Sequence, residues 1–443
     1  MPQRIPMGAA TDRIHRDMTG YSGTFPSLWR PFMVRALLPA VVLGGLGASL
    51  WLERSPGVSL RPATQIRDVR VLALSGVEQM RLRTEGSLAV SDDTLSSLDV
   101  LPATEWITAS PDPAGGIWLG EKLRPQRSLT VRPEQAEFTI VSVYSDGTWS
   151  PTVRYPGTLD LTTGEGGLLD VVNVVDVERY VAGVVANEVW PTFETEAYRA
   201  QAIAARTFVL YQMKRRQGAP VDVAATQGAQ VYRGIRTDEV GRRAAEAAEY
   251  TRGIVLTYTA NGVDELFCTY YNAVCGGVSQ SAAIFGPDNT IEPLAGGVRC
   301  EYCRIAPGET YRWGPVRIAK EEVWLRLAAA YPKLASLGGI ETIEVAGREQ
   351  SGRIIQVRLM GTTGESYDML AERFRLAVGG NVVRSTDCKI HVTEQEVIFD
   401  AGRGFGHGLG LCQWGMQGQA LEGKQAGEIL RYYYPGSKLT RVY

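Results

Sequence analysis

One carboxylate in this chain is placed where proton transfer becomes available to it. Read as a helix, Val177–Val189 (VERYVAGVVANEV) puts Val177, Val181, Val184, Val185 and Glu188 on one narrow face. Glu188 falls within roughly 20° of the Val177 direction on the helical wheel. Trp190 and Pro191 follow and end the helix. A carboxyl on an apolar face beside an aromatic ring loses water. Its charged form is disfavoured, its pKa rises, and it becomes a general acid near neutral pH. The same pattern also fits a buried glutamate paired with an arginine or a backbone amide, or a helix-end glutamate turned to water.

The next segment, Glu196–Gln212 (EAYRAQAIAARTFVLYQ), reads as a second helix with a small-residue face at Ala197, Ala200 and Ala204. Gln201 and Arg206 are the polar residues on it. Arg206 is expected to hold an anionic or hydroxyl-rich substrate or to pair with Glu188; an ordinary solvated arginine is the plainer reading. A third group sits near the C-terminus, where Gly402, Gly404, Gly406, Gly408 and Gly410 alternate with Arg403, Phe405, His407 and Leu409. Period-2 glycine predicts a strand with one bare face, open to another backbone or a sugar ring. No dinucleotide fingerprint or P-loop register occurs there. His407 by itself reads as a hydrogen-bonded structural histidine. Trp414 and Tyr432–Tyr434 offer rings for stacking on sugars or for core packing.

Six cysteines complete the reactive set. Cys268 and Cys275 are spaced C-x6-C, Cys300 and Cys303 C-x2-C, with 24 residues between the pairs. Two close pairs suit a tetrahedral four-thiolate zinc site. They equally suit two disulfides in an oxidising compartment. Cys388 and Cys412 are left over. Either arrangement is structural, tying the turn after 264–271 to the loop at 298–303.

These groups need a scaffold. The chain has 443 residues, 44% hydrophobic, 21% charged and 9% aromatic, with 46 basic and 48 acidic side chains and a net charge of −2. That is globular composition, and without a basic stripe it argues against a nucleic-acid binder. The 49 glycines have no triplet period and point to turns and a β-rich chain. Residues 1–35 are polar and carry several arginines, whereas Ala36–Leu52 holds no charge and has the length of a short membrane span. Arg30 and Arg35 precede it, so the positive-inside rule predicts a cytoplasmic tail at 1–35, a signal anchor at 36–52, and everything later outside the membrane. A cleaved signal peptide ending near Gly47-Ala48-Ser49 is the alternative. From 65 to 170 alternating apolar stretches broken by turn signals predict a β-rich accessory region. The fold class expected is α+β, with this lead-in followed by a mixed helix and strand domain at 171–443.

The motifs together resemble the stage II sporulation protein D (SpoIID/LytB) family. The resemblance is carried by DVERYVAGVVANEVWPTFETEAYRAQAIAARTFVLYQ (176–212), TQGAQVYRG (226–234), AAEAAEYTRGIVLTY (244–258), YNAVCGG (271–277), RFRLAVGGNVVRST (373–386) and GRGFGHGLGLCQWGMQGQALEGKQAGEILRYYYPGSKL (402–439). It covers roughly 65–443. It implies a membrane-anchored lytic transglycosylase that cleaves the β-1,4 bond between N-acetylmuramic acid and N-acetylglucosamine in peptide-stripped peptidoglycan strands and leaves 1,6-anhydro ends. Under it Glu188 is the catalytic glutamate and Arg206 the functional arginine, while Gln201, Tyr232, His407, Gln413 and Trp414 become substrate-binding residues. Some family members are similar in carrying a zinc at the 271–277 turn, there with histidine ligands. This chain has no histidine between 16 and 390, so its ligands are expected to be Cys268, Cys275, Cys300 and Cys303. Other members were named as amidase enhancers, so a non-catalytic wall-binding or amidase-activating role is the runner-up, with an amidase or peptidase as partner.

One carboxylate is enough for that chemistry. A glycosidase that adds water needs an acid and a second carboxylate. A lytic transglycosylase protonates the leaving oxygen, then takes a proton from the sugar's own 6-hydroxyl, which proximity favours over water. The carboxylates nearest in sequence are Asp176, Glu178, Glu194 and Glu196. Asp176 points about 100° away on the wheel, so no pair forms within this helix.

Overall fold

Alternation sets the first layer. In the strand Leu169–Asp176 every second side chain is buried: Leu169, Val171, Asn173 and Val175. That is the period-2 signature of a sheet with one face on a core. The computed structural model describes residues 68–443 apart from 93, 95 and 226–228. The segment read as an anchor (36–52) and the tail before it lie outside the described residues. Among the described residues no helix is long and apolar enough to cross a membrane.

Leu169–Asp176 is the third of seven strands in one sheet, flanked by Asp68–Val77 on one side and Thr158–Thr163 on the other. A second seven-stranded sheet is built around Phe138–Ser145 and Gln79–Arg83. Inward residues of both sheets, such as Met80, Leu82 and Val141 from one and Leu88, Val131 and Leu161 from the other, belong to one continuous core. Asn173 is the polar exception on that face. Its amide donates to the carbonyls of Pro156 (2.7 Å) and Thr158 (2.9 Å), so the buried group is satisfied.

The boundary expected near 170 falls inside this sheet. Leu169–Asp176 pairs antiparallel with Asp68–Val77, from Asp68 opposite Asp176 to Val77 opposite Leu169. The same core continues through the helices that follow.

Asp176 ends the strand and caps the first helix, α1 (Val177–Glu188), by accepting from the amides of Glu178 (2.9 Å) and Arg179 (3.2 Å). The valine stripe is realised: Val177, Val181, Val184 and Val185 are all buried. α2 (Thr195–Arg215) is buried along most of Ala197–Leu210, which its alanines permit by letting neighbouring backbones come close. α3 (Glu239–Tyr250) packs on both.

Residues 313–399 hold a second core, including Trp313, Leu327, Val357, Phe374 and Phe399. It is formed by α4 (Lys320–Ala330), α5 (Ala371–Gly379) and two three-stranded antiparallel sheets. The chain then returns to the first core through 402–412, α6 (Gln413–Leu421) and α7 (Ala426–Tyr433), and its last strand, Lys438–Arg441, pairs with Ile254–Ala260.

The glycine alternation does not make a strand. Phe405 and Leu409 make only single bridges, to Val274 and Gln280, while Gly402–Arg403 and Leu411–Cys412 form short strands. Between them Gly404, Gly406, Gly408 and Gly410 all have positive φ, from 60° to 99°, which breaks a pleat and which side chains resist. Their bare faces are also already occupied. A Cβ on Gly410 would lie 2.1 Å from the Tyr270 carbonyl, and one on Gly404 2.6 Å from that of Val274.

Close approach also explains Gly183 in the middle of α1. A Cβ there would meet the Gly234 carbonyl at 2.6 Å and the Tyr232 ring at 2.7 Å. Alanine gains about 1 kcal/mol of helix propensity, but overpacking costs about 1–3 kcal/mol. Gly183→Ala is therefore expected to lower the melting temperature, and an unchanged or raised value contradicts this packing.

Candidate active site

Glu188 is the last residue of α1, and the chain turns away immediately after it. Its carboxyl is half-buried and held from three directions. The Val231 amide donates to Oε1 at 2.8 Å, the Tyr271 hydroxyl to Oε1 at 3.4 Å, and the Gln413 side-chain amide to Oε2 at 3.4 Å. Burial raises its pKa above the ordinary 4.5, and these three donors, Val231 foremost, oppose the rise without cancelling it. No second carboxylate is among the groups that set it. The two long bonds matter here: shorter ones would favour the carboxylate further.

Aromatic rings gather at the two chain segments that carry Glu188 and Gln413. Trp414 is mostly buried and packs against Trp190, with ring centroids 5.6 Å apart, and against Phe193, edge-on at 5.0 Å. Trp190 follows the helix end and Trp414 follows Gln413, so the same two turns supply the acid, its donor and the apolar rings.

Tyr271 and Gln413 come together through a short parallel pairing. Tyr271 lies opposite Leu411, and Asn272 opposite Cys412. The Asn272 amide also donates to the carbonyls of Leu409 (3.0 Å) and Leu411 (3.3 Å), fastening the two segments. Tyr271 and the Val231 amide are missing from the sequence-level site. Tyr271 opens the YNAVCGG motif, a usable signal, whereas a backbone amide leaves none.

The other expected site residues take different places. Gln201 is fully buried and accepts from the Gln413 amide at 3.5 Å, so it sits behind the donor. Tyr232 is also buried. Its hydroxyl donates to Asn173 at 2.7 Å and its ring packs on Tyr180 at 5.0 Å, which makes it part of the core. His407 is half-buried; its Nδ1 accepts from the Leu409 amide at 3.0 Å and its ring meets Tyr270 edge-on. Burial lowers its pKa to about 4 against the opposing pull of Glu372, so at neutral pH it is an uncharged, locally bonded ring.

Arg206 pairs with Glu178, not with Glu188. Its Nε donates to Glu178 Oε1 at 2.9 Å and its Nη2 to Oε2. The remaining donors reach Thr251 Oγ1 (3.2 Å) and the carbonyls of Ile254 (3.1 Å) and Ala248 (2.9 Å). Glu178 accepts in addition from the Gly253 amide and the Tyr443 hydroxyl. The guanidinium is inaccessible and has no donor left for a substrate. It ties α1 to α3, the strand after it and the C-terminus.

The cysteine group is also corrected. Cys275, Cys300, Cys303 and Cys412 are all buried, with sulfurs within 4.8 Å of one another, and this group could hold a metal ion. Cys268 lies apart from them, beside Tyr270 and Gln212, and burial pushes its thiol up to about 12. The C-x6-C spacing misleads because the fourth sulfur comes from the far end of the chain, delivered by the 271–272 and 411–412 pairing. Hydrogen bonds from Cys275, Cys303 and Cys412 hold the Cys300 sulfur far below the ordinary thiol range. No two of the six cysteines are disulfide-bonded.

A family model described as stage II sporulation protein matches residues 165–258. That stretch contains Glu188, Arg206 and Val231 but neither Tyr271 nor Gln413. The chain is 30% identical over 307 residues to an uncharacterized protein of Brachyspira hyodysenteriae, covering 67% of this chain and 75% of that one. It is 28% identical over 286 residues to the stage II sporulation protein D of Bacillus subtilis, covering 61% and 76%. Similarity to the amidase enhancer of the same organism is 24% over 298 residues, 58% of this chain but 40% of that protein.

Removing one member of a buried ion pair costs about 3–5 kcal/mol, because the other charge stays buried and unpaired. Arg206→Met is accordingly expected to lower thermal stability sharply, and Glu178→Gln with Arg206→Met to recover part of the loss. Full stability of Arg206→Met combined with lost activity would instead mark the guanidinium as a substrate contact.

Proposed function

We propose that this chain, which belongs to the SpoIID family, is a peptidoglycan lytic transglycosylase with Glu188 as its single acid and base. The observation that carries the reading is one desolvated carboxyl, raised in pKa, held by the Val231 amide, Tyr271 and Gln413, with no carboxylate among the groups that shift it. No carboxylate is among the groups that shift Glu188, whereas a hydrolase relies on a second one.

In this reading the protonated Glu188 gives its proton to the oxygen between N-acetylmuramic acid and N-acetylglucosamine. As positive charge develops on the sugar, Glu188 becomes a carboxylate, which the Val231 amide, Tyr271 and Gln413 are arranged to receive. The carboxylate then takes the proton from the 6-hydroxyl, whose oxygen closes the 1,6-anhydro ring. Proton count balances, and the acid is restored. Gln413 serves as a positioning donor backed by Gln201, and Trp190 and Trp414 keep water from the acid. Peptide-stripped strands are the substrate class. The four-thiol group takes zinc as a structural ion, and no proton moves through it. The described residues act outside the cytoplasmic membrane, with residues 36–52 as anchor and an amidase or peptidase supplying stripped strands.

The second reading, a wall-binding amidase activator without catalysis, draws on the similarity to the amidase enhancer. Incubation with denuded glycan and mass analysis of the ends separates the two. Anhydro ends are expected; reducing ends identify a hydrolase, and intact strands that still bind identify the activator. Glu188→Gln should lower cleavage at least 10²-fold while thermal unfolding stays close to wild type. Because a raised pKa keeps the acid protonated to higher pH, the rate should fall as pH climbs through that raised value, and a rate that falls only on acidification contradicts the assignment.

A further inference from the structure

Arg353 is a fully buried cation without a carboxylate of its own. It stands just before the strand Ile354–Gly361 of the second core, and its side chain leaves that unit for the glycine-rich return segment. Its Nη1 donates to the Gly406 carbonyl and its Nη2 to the Cys275 carbonyl, each at 2.9 Å. Its Nε has no partner. A Cβ on Gly408 would lie 2.3 Å from that nitrogen, so the backbone wraps the guanidinium closely. Among the described residues it forms no ion pair, and two carbonyls do not neutralise a charge.

The carboxylates nearby are engaged by other groups. Glu372 is bound bidentately by Arg375, and Asp387 pairs with Arg403 at 3.0 Å. An uncompensated buried ion costs several kcal/mol. Glu349, across the turn from Arg353, is engaged by the Ser281 amide and the Ser351 hydroxyl, which leaves the group that begins at Cys275, whose carbonyl Arg353 already holds, as the source of negative charge in direct line with it.

That group has the features of a metal centre. The Cys275 and Cys303 sulfurs are 3.7 Å apart; zinc–sulfur bonds of about 2.3 Å arranged as a tetrahedron put sulfurs about 3.8 Å apart. The Cys275 amide donates to the Cys412 sulfur at 3.2 Å and the Gly277 amide to the Cys275 sulfur at 3.4 Å, and the Tyr433 hydroxyl lies 3.0 Å from the Cys300 sulfur. Backbone amides and a hydroxyl directed at sulfur suit thiolates, as outer-shell donors do at metal sites. Disulfides or four neutral thiols would leave Arg353 without a counter-charge. Four thiolates around a divalent ion form a dianion beside it.

We infer that Cys275, Cys300, Cys303 and Cys412 bind one zinc ion as a dianionic centre, that Arg353 is its counter-charge, and that the centre locks together the two segments carrying Tyr271 and Gln413. The last part rests on Glu188 being the acid. Cys275 lies four residues beyond Tyr271, and Cys412 directly precedes Gln413, so an ion joining these sulfurs also fixes the spacing of the two donors. Arg353 acts here as a positioning residue, reaching the site through the metal.

The test uses the full chain purified under reducing conditions. Elemental analysis should give about one zinc per chain. Cys412→Ser should lose it and Cys268→Ser should keep it; the reverse overturns the ligand set. Chelator competition should show zinc affinity lowered on the order of 10–100-fold in Arg353→Met, largely recovered in Arg353→Lys, and unchanged in Arg358→Met, which alters an exposed pair. Undiminished affinity in Arg353→Met, or a wild-type chain that holds disulfides at these cysteines instead of zinc, overturns the proposal. Because Arg353→Met is itself at risk of misfolding, hydrogen exchange on wild type gives an independent reading. Zinc removal should speed exchange at 271–277 and 411–415 more than in the strand Leu169–Asp176, and equal protection with and without zinc refutes the lock. A chain that binds zinc in this way but leaves glycan intact refutes the transglycosylase reading and leaves the metal centre standing.

Discussion

The structure turns on one carboxyl, that of Glu188, set at the edge of a protein interior where burial opposes its charge. Burial raises the pKa of Glu188, and each hydrogen bond donated to it lowers that pKa again. A net hydrogen bond is worth about 0.5–1.5 kcal/mol, comparable to one pKa unit at about 1.4 kcal/mol. Shorter bonds would lower that pKa further. One is short, from Val231, and two are long, from Tyr271 and Gln413. The site therefore holds an acid whose conjugate base already has donors in place.

Holding those distances falls to residues far apart in sequence. The acid comes from a helix started by the Asp176 cap at the end of a sheet strand. Its donors come from 231, 271 and 413, and the last two are joined by a pairing of only two residues on each side. Such a short pairing is weak alone, which is why its surroundings matter: Asn272 clamps it, the left-handed glycines let the backbone press against Tyr270 and Val274, and the four cysteines close around its far end. The Arg206–Glu178 pair does comparable work behind α1, anchoring it to α3 and to Tyr443.

Much of this was legible in the sequence where the signal is local. The valine stripe and Glu188 at its end follow from helical periodicity, and the β-rich lead-in from alternation. What escaped depends on long-range contact. Arg206 reads as a site residue because a helical wheel does not reveal that Glu178, one position off the stripe, turns inward to meet it. Cys412 reads as left over because its partners lie more than a hundred residues earlier. Glycines at every second position read as a pleated strand, since the alternation itself does not disclose the sign of φ. The second core at 313–399 has no local signal of a boundary, so only its folded packing separates it from the first.

The protonation of Glu188 is the most direct test of the account. With glutamate side-chain carbonyls labelled by carbon-13, the Glu188 signal, assigned by its loss in a Glu188→Gln sample, can be followed by NMR as pH is raised. The account predicts that this carboxyl titrates above 4.5, the ordinary glutamate value, and separately from the exposed glutamates. A Glu188 signal that titrates at or below that value would contradict it.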